Sequence, residues 1–140
     1  MIVAINPLPH LTPKNASCAL IQGEDGMILG VSRKDNKNVF GIVGGKLDAG
    51  ETFINAAIRE TFEETGITIT SLEYIFEDYC GDHSRDDVIY YCVAFKVTGW
   101  TDEPYTKEEG IVSWVTPEKL MEGCFGEYNK KLFKAAGIIT

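Results

Sequence analysis

Between Gly41 and Ile67 the chain reads GIVGGKLDAGETFINAAIRETFEETGI, in which glycines at 44, 45 and 50 run into a stretch, Thr52 to Thr65, that contains neither Gly nor Pro. Closed by Gly66, that stretch is predicted to be a helix with a C-cap glycine. At about 100° per residue Ile54, Ala57, Ile58 and Thr61 fall on one stripe suited to a core. On the other side Glu60, Glu63 and Glu64 gather at i, i+3 and i+4, with Arg59 adjacent. Such a helix must lay its stripe on something apolar. Its three like charges repel, so the cluster needs open solvent or a cation. The glycines upstream mark places where the chain turns tightly or brings its backbone close to a ligand. Glu51, two helical turns before Arg59, is placed to pair with it.

The apolar partner is a sheet. Ser17 to Gln22 and Met27 to Ser32 are short apolar runs separated by Gly23-Glu24-Asp25-Gly26, which reads as a β-hairpin. Val39 to Val43 is a third strand; Leu72 to Tyr79 and Val88 to Thr98 are longer ones rich in Tyr, Phe, Ile and Val, and Gly110 to Val115 is another. Alternation along the Val88 strand puts Tyr91, Val93 and Phe95 on one face and Tyr90, Cys92 and Ala94 on the other. Thr116-Pro117-Glu118 opens a short helix with a capping hydroxyl and a first-turn proline. A last helix is expected from about Glu127 to Ala136, with Tyr128, Leu132 and Ala135 or Ala136 on one side. The fold class that follows is α+β, a mixed sheet with helices packed on it.

With 140 residues and no repeat or low-complexity tract, one domain covering 1–140 is expected, long enough to bury a core unaided. Thirteen basic against twenty-one acidic side chains give a net charge of −8. That balance disfavours duplex DNA or long RNA as a partner, because such binding needs clustered Lys and Arg. Lys130, Lys131 and Lys134 on the last helix read as a solvated face. Cys18, Cys80, Cys92 and Cys124 form no CxxC pair, which excludes zinc-knuckle and thioredoxin-type sites. They read as reduced core residues, and a reducing, cytoplasmic location follows. No window is long and apolar enough to span a membrane, and none reads as a signal segment.

Oxygen-rich carboxylate clusters suit Mg²⁺ or Mn²⁺ together with substrate phosphates, so the segment points to metal-assisted attack of water on a phosphate. Here it resembles the Nudix box, Gx5Ex7REUxEExGU with U a bulky aliphatic residue: Gly45, Glu51, Arg59, Glu60, Glu63, Glu64, Gly66 and Ile67 match at the right spacings. Seven fixed positions matched by chance would occur at a frequency on the order of 10⁻⁸. Thr61 stands where the box prefers an aliphatic residue, and Val43 replaces the proline that often precedes the glycine pair. The resemblance implies an α/β/α sandwich around a mixed β-sheet and hydrolysis of a nucleoside diphosphate linked to another moiety X, with Mg²⁺, or Mn²⁺, as cofactor. It makes Glu60 and Glu64 metal ligands and Glu63 a further ligand or a residue positioning water. Glu51 and Arg59 become the supporting pair, and Gly45 presents backbone groups to metal or phosphate.

Outside the box, Arg33 resembles a phosphate-contacting arginine of the mutator-type members. Glu108, or its neighbour Glu109, resembles their extra acidic residue, a metal ligand or base. Asn129 sits where they place a base-reading asparagine. Each has an ordinary alternative: a solvated strand-end arginine, a surface Lys-Glu-Glu turn, a polar residue at a helix start. His83, in a polar loop, is expected to be solvent-exposed or to gate the site. Proline and tyrosine markers of ADP-ribose and diadenosine polyphosphate hydrolases are missing, as is a coenzyme A signature. The resemblance therefore leaves a small mutator-like hydrolase of nucleoside triphosphates, a monomer or homodimer, yielding monophosphate and pyrophosphate. The alternatives are a nucleotide sugar or a 5′ RNA end as substrate, and a non-catalytic nucleotide-sensing module.

Overall fold

A computed structural model describes residues 12–82, 85–105 and 110–140. The chain order is β1 (Lys14–Leu20), β2 (Ile28–Ser32), β3 (Phe40–Lys46), α1 (Phe53–Thr65), β4 (Thr68–Asp82), β5 (Arg85–Thr101), β6 (Val112–Val115), α2 (Pro117–Met121) and α3 (Gly126–Ala135). The strands form one mixed sheet in the order β4-β5-β1-β3-β2-β6. β1 runs parallel to β5 and antiparallel to β3. His83, Glu108 and Glu109 lie outside the described residues.

The two faces of the sheet carry different layers. Ala16, Cys18 and Leu20 of β1 point to the side of α2 and α3, where they pack with Leu120, Tyr128, Leu132 and Phe133. Ala19 and Ile21 point the other way, joining Leu29, Val43 and Ile67, and α1 reaches Val93 and Phe95 through Ala57. The expected alternation on β5 therefore holds: Cys92 and Ala94 face α3, Val93 and Phe95 face α1. The arrangement is an α/β/α sandwich of α+β class.

Local chemistry sets the ends of α1. The Thr52 hydroxyl accepts from the Asn55 amide, and Gly66 takes the left-handed conformation at φ 81°, donating to the Phe62 carbonyl. Thr116 caps α2 in the same way, through the Lys119 amide.

Three expectations need correction. The turn ending at Gly26 forms, but β1 and β2 meet only through a single Gln22–Ile28 bridge, and β3 lies between them. A two-strand turn fixes only its own neighbourhood, and Val43 to Lys46 offer β1 a longer ladder. On α1, Ile54 is 46% exposed, while Ala56, Ala57, Thr61 and Thr65 are buried; Phe53 takes the sheet-facing place in the first turn. Of the cysteines, all free thiols, Cys18 and Cys92 are core residues, whereas Cys80 and Cys124 are only half-buried.

Candidate active site

Glycines 44 and 45 lie within β3 in extended backbone, so a tight turn is not what they supply. Gly44 is opposite Cys18 of β1, and a Cβ there would come 2.8 Å from the Cys18 Cα. Gly45 faces the helix: a Cβ would stand 2.5 Å from the Glu60 carboxyl carbon. The missing side chain makes a cradle in which the Glu60 carboxylate rests against the strand. Glu64 closes the same edge by accepting from the Gly44 amide at 3.0 Å. Gly50 alone supplies a left-handed turn, φ 77°, in the loop between β3 and α1.

Arg59 is the hub of the cluster. Its guanidinium grips Glu51 in bidentate fashion, Nε to Oε2 at 2.8 Å and Nη2 to Oε1 at 2.9 Å. Nη1 reaches Glu60 at 2.6 Å and Glu63 at 3.0 Å. Nη2 also donates to the Lys46 carbonyl at 3.0 Å, tying α1 to the end of β3. Asp48 adds a longer ion pair at 3.3 Å. Planar, multiply bonded guanidinium suits this role where a lysine ammonium would not. The Arg59 hydrogen bonds, with that from the Asp48 amide, hold the Glu51 carboxyl down at about 2 from an ordinary 4.5. Glu51 also accepts from that amide at 2.9 Å, which fastens the loop.

The donor set fits a hard divalent cation. It offers carboxylate oxygens and backbone groups, with no thiolate or imidazole among them. Among the described residues no three acidic, His or Cys side chains already converge on one point; Arg59 draws Glu60 and Glu63 to itself. Glu60, Glu63 and Glu64 are the side chains that would hold the ion.

A cleft of about 330 Å³ opens on the α3 face of the sheet, and Gly44, Gly45 and Lys46 form one of its edges. Its other walls are Ala16, Cys18, Ile42, Cys80, Tyr90, Cys92, Phe125, Tyr128 and Asn129. Tyr90 and Phe125 meet edge to face with centroids 5.9 Å apart. The Tyr128 hydroxyl donates to the Cys92 carbonyl at 2.9 Å, pinning α3 to β5. Burial pushes that phenol far above its usual range, so it stays protonated.

The structure thus brings Gly45, Glu51, Arg59, Glu60, Glu63 and Glu64 together and places Asn129 in the wall of the adjoining cleft. Asn129 is buried, its amide donating to the Leu120 carbonyl at 3.0 Å. Arg33 is not part of this assembly. It follows Ser32, which pairs with Phe40, and so stands ~16 Å along β3 from Gly45 at the usual strand rise. Its guanidinium holds Asp35 at 2.7 and 2.9 Å and reaches the Cys124 thiol at 3.0 Å. Of the cleft residues the sequence marks Cys18 only as a core thiol and does not mark Ile42, Phe125 or Lys46, although alternation on β1 and β3 carries the signal for Cys18 and Ile42.

The NUDIX domain model matches residues 11–136. An 8-oxo-dGTP diphosphatase of Haemophilus influenzae is 29% identical over 119 residues, covering 83% of this chain and 85% of that one. An NAD-capped RNA hydrolase NudC of Salmonella schwarzengrund is 32% identical over 133 residues, covering 84% of this chain but 52% of the relative. Among solved structures, the E. coli ORF135 protein superposes with a TM-score of 0.72 at 24% identity, covering 94% of each chain. A MutT Nudix hydrolase from Burkholderia pseudomallei gives 0.71 at 22%, covering 92% of this chain and 99% of that one. The chain belongs to the Nudix family and is a Nudix hydrolase, a pyrophosphohydrolase of nucleotide-linked substrates.

Proposed function

We propose that the chain, acting as one domain, catalyses Mg²⁺-dependent hydrolysis of a nucleoside triphosphate to the monophosphate and pyrophosphate. The observation that carries this reading is the shared edge: Gly44 and Gly45 touch Glu64 and Glu60 on one side and line the cleft on the other. A base lying in the cleft has its phosphates directed past that edge toward the carboxylates. The H. influenzae relative, named for an oxidised guanine nucleotide, puts such nucleotides among the candidates.

In this reading Glu60, Glu63 and Glu64 hold the cation, with Mn²⁺ able to substitute, and Gly45 presents its backbone to metal or phosphate. The bound ion supplies charge neutralisation at the phosphate oxygens and a water of lowered pKa. Glu63, the most exposed of Arg59's glutamate partners at 50%, positions the attacking water. Glu51 and Arg59 keep the loop and the helix in register so that Glu60 and Glu63 point the same way. Asn129 and the aromatic walls receive the base. Arg33, held by Asp35 and Cys124 toward the other end of β3, is given no phosphate contact in this reading, and Glu108 adds an acidic group from the segment before β6. Four free thiols suit a reducing, cytoplasmic compartment.

A nucleotide panel with and without Mg²⁺, read by pyrophosphate release, tests the reading. Release from at least one triphosphate, oxidised or normal, and none in EDTA is expected. Cleavage of NAD-capped RNA or a nucleotide sugar with every triphosphate intact would replace the substrate. Tight binding of one nucleotide with nothing cleaved would make the chain a sensing module.

A further inference from the structure

Beside the cleft lies a second depression, lined by Lys14, Asn15, Lys46, Asp48, Gly50 and Glu51. Lys46 borders both. The register explains why two lysines meet there. Ala16 is opposite Lys46 on β3, and Lys14 precedes Ala16 by two residues, so all three stand on the same face of the sheet. That face is the one whose inner end is the cleft floor at Cys18 and Cys92. Lys14 is also opposite Tyr90 of β5, a cleft wall. Lys46 therefore borders the cleft itself, and Lys14 stands beside it in the adjoining depression.

Their charge is available. Asp48 and Glu51, the acids of the depression, are both engaged by Arg59. Among the described residues neither Lys14 nor Lys46 has an ion-pair or hydrogen-bond partner for its side chain, and both are exposed. In a chain of net charge −8, two uncommitted cations at the exit of the proposed base cleft are the local exception.

We infer that the Lys14–Lys46 depression is the subsite for the X moiety of the substrate, and that it takes an anionic, phosphate-bearing X, with Lys14 as the residue that discriminates it from a neutral one. The inference rests on the proposed reading, because the cleft must hold the nucleoside for the mouth to face X. Lys14 stands about two residues beyond the edge formed by Gly44 to Lys46, so a chain of phosphates crossing the carboxylate cluster meets it at its far end. A neutral sugar in the same place makes no use of the ammonium.

The test uses inorganic pyrophosphate as the probe, with the full chain, by titration calorimetry, so that it does not depend on turnover. Lys14→Gln is expected to weaken pyrophosphate binding about fivefold, the scale of one exposed ion pair, and Lys14→Arg to retain it. In steady state Lys14→Gln is expected to raise KM for a nucleoside triphosphate by a similar factor at unchanged kcat. KM for a nucleotide sugar with a neutral X should move less than about twofold. Unchanged pyrophosphate affinity in Lys14→Gln overturns the inference, as does an equal rise in KM for both substrates. A wild-type chain that cleaves no nucleotide yet loses pyrophosphate affinity on Lys14→Gln would sink the proposed hydrolysis and keep the anion subsite.

Discussion

Replacing the two adjacent glycines of β3 by alanine, one at a time, separates catalysis from folding. At Gly45 the new methyl would meet the Glu60 carboxylate, with its carbon 2.5 Å away. The obstacle is the far end of a flexible side chain, and Gly45 is not a left-handed position. The fold should absorb the change: exchanging Gly for Ala within a regular element gains roughly 0.5–1 kcal/mol, against a modest cost for turning Glu60 aside. The melting temperature is therefore expected to stay within about 3 °C of wild type. Glu60, however, must leave its cradle. A displacement of about 1 Å in a catalytic group costs on the order of 100-fold in rate, so kcat/KM should fall by about that factor and the Mg²⁺ needed for half-maximal rate should rise. Gly44→Ala is the reverse case. Its methyl would strike β1 backbone, including the Cys18 Cα at 2.8 Å, and neither strand yields without opening the ladder. Overpacking of this kind costs roughly 1–3 kcal/mol, a fall in melting temperature of about 4–10 °C for a chain of this size. Thermal melts and steady-state rates on the two variants decide the matter. A stable, fully active Gly45→Ala would refute the idea that the glycine exists to seat Glu60.

Acid pH should act through Glu51. Its carboxyl titrates at about 2 in the folded chain against an ordinary 4.5, so its ion pair stabilises the fold fully above about pH 4.5 and that contribution disappears as the pH falls toward 2. Glu51→Gln should accordingly lose stability at pH 7 and show a flatter decline between those limits in chemical denaturation; an unchanged acid limb would show that the Arg59 pair does not govern it. Thr61 carries a fully buried hydroxyl with no hydrogen-bond partner. Thr61→Val removes that unpaired group at nearly constant volume and should stabilise the chain by about 1 kcal/mol, seen as a rise of about 3 °C in the melting temperature; a fall would mean that the hydroxyl has a role in the native state.

Most of the box is legible in the sequence because its chemistry is local. Thr52 and Gly66 fix the helix ends through bonds within four residues, and Glu51 is an acid just before the helix that the loop can fold back onto Arg59. Strand order was not readable. The Asp25-Gly26 turn is real, yet β3 separates the strands it joins, because ladder length between distant segments decides pairing. A helical stripe does not show which residue of the first turn meets the sheet, so it favours Ile54 where Phe53 makes the contact. The meaning of Gly45 needed the third dimension: the sequence shows a glycine where backbone comes close to something, and the structure shows that the something is Glu60. Likewise the reach of Arg59 to Glu60, Glu63 and the Lys46 carbonyl depends on a loop whose path only the fold supplies.

The central claim is that the carboxylates on α1 drive hydrolysis of a nucleotide whose base lies in the adjoining cleft. Glu64 tests it most directly, because it bonds the Gly44 amide at the edge common to both. Glu64→Gln keeps a side-chain oxygen that can accept that hydrogen bond and removes only the charge. The measurement is Mg²⁺-dependent pyrophosphate release by Glu64→Gln from whichever triphosphate the wild type cleaves, alongside its thermal melt. A loss of at least about 100-fold in kcat with the melting temperature within about 3 °C is the expected result. A variant that folds as well as wild type and releases pyrophosphate at a comparable rate would contradict the claim.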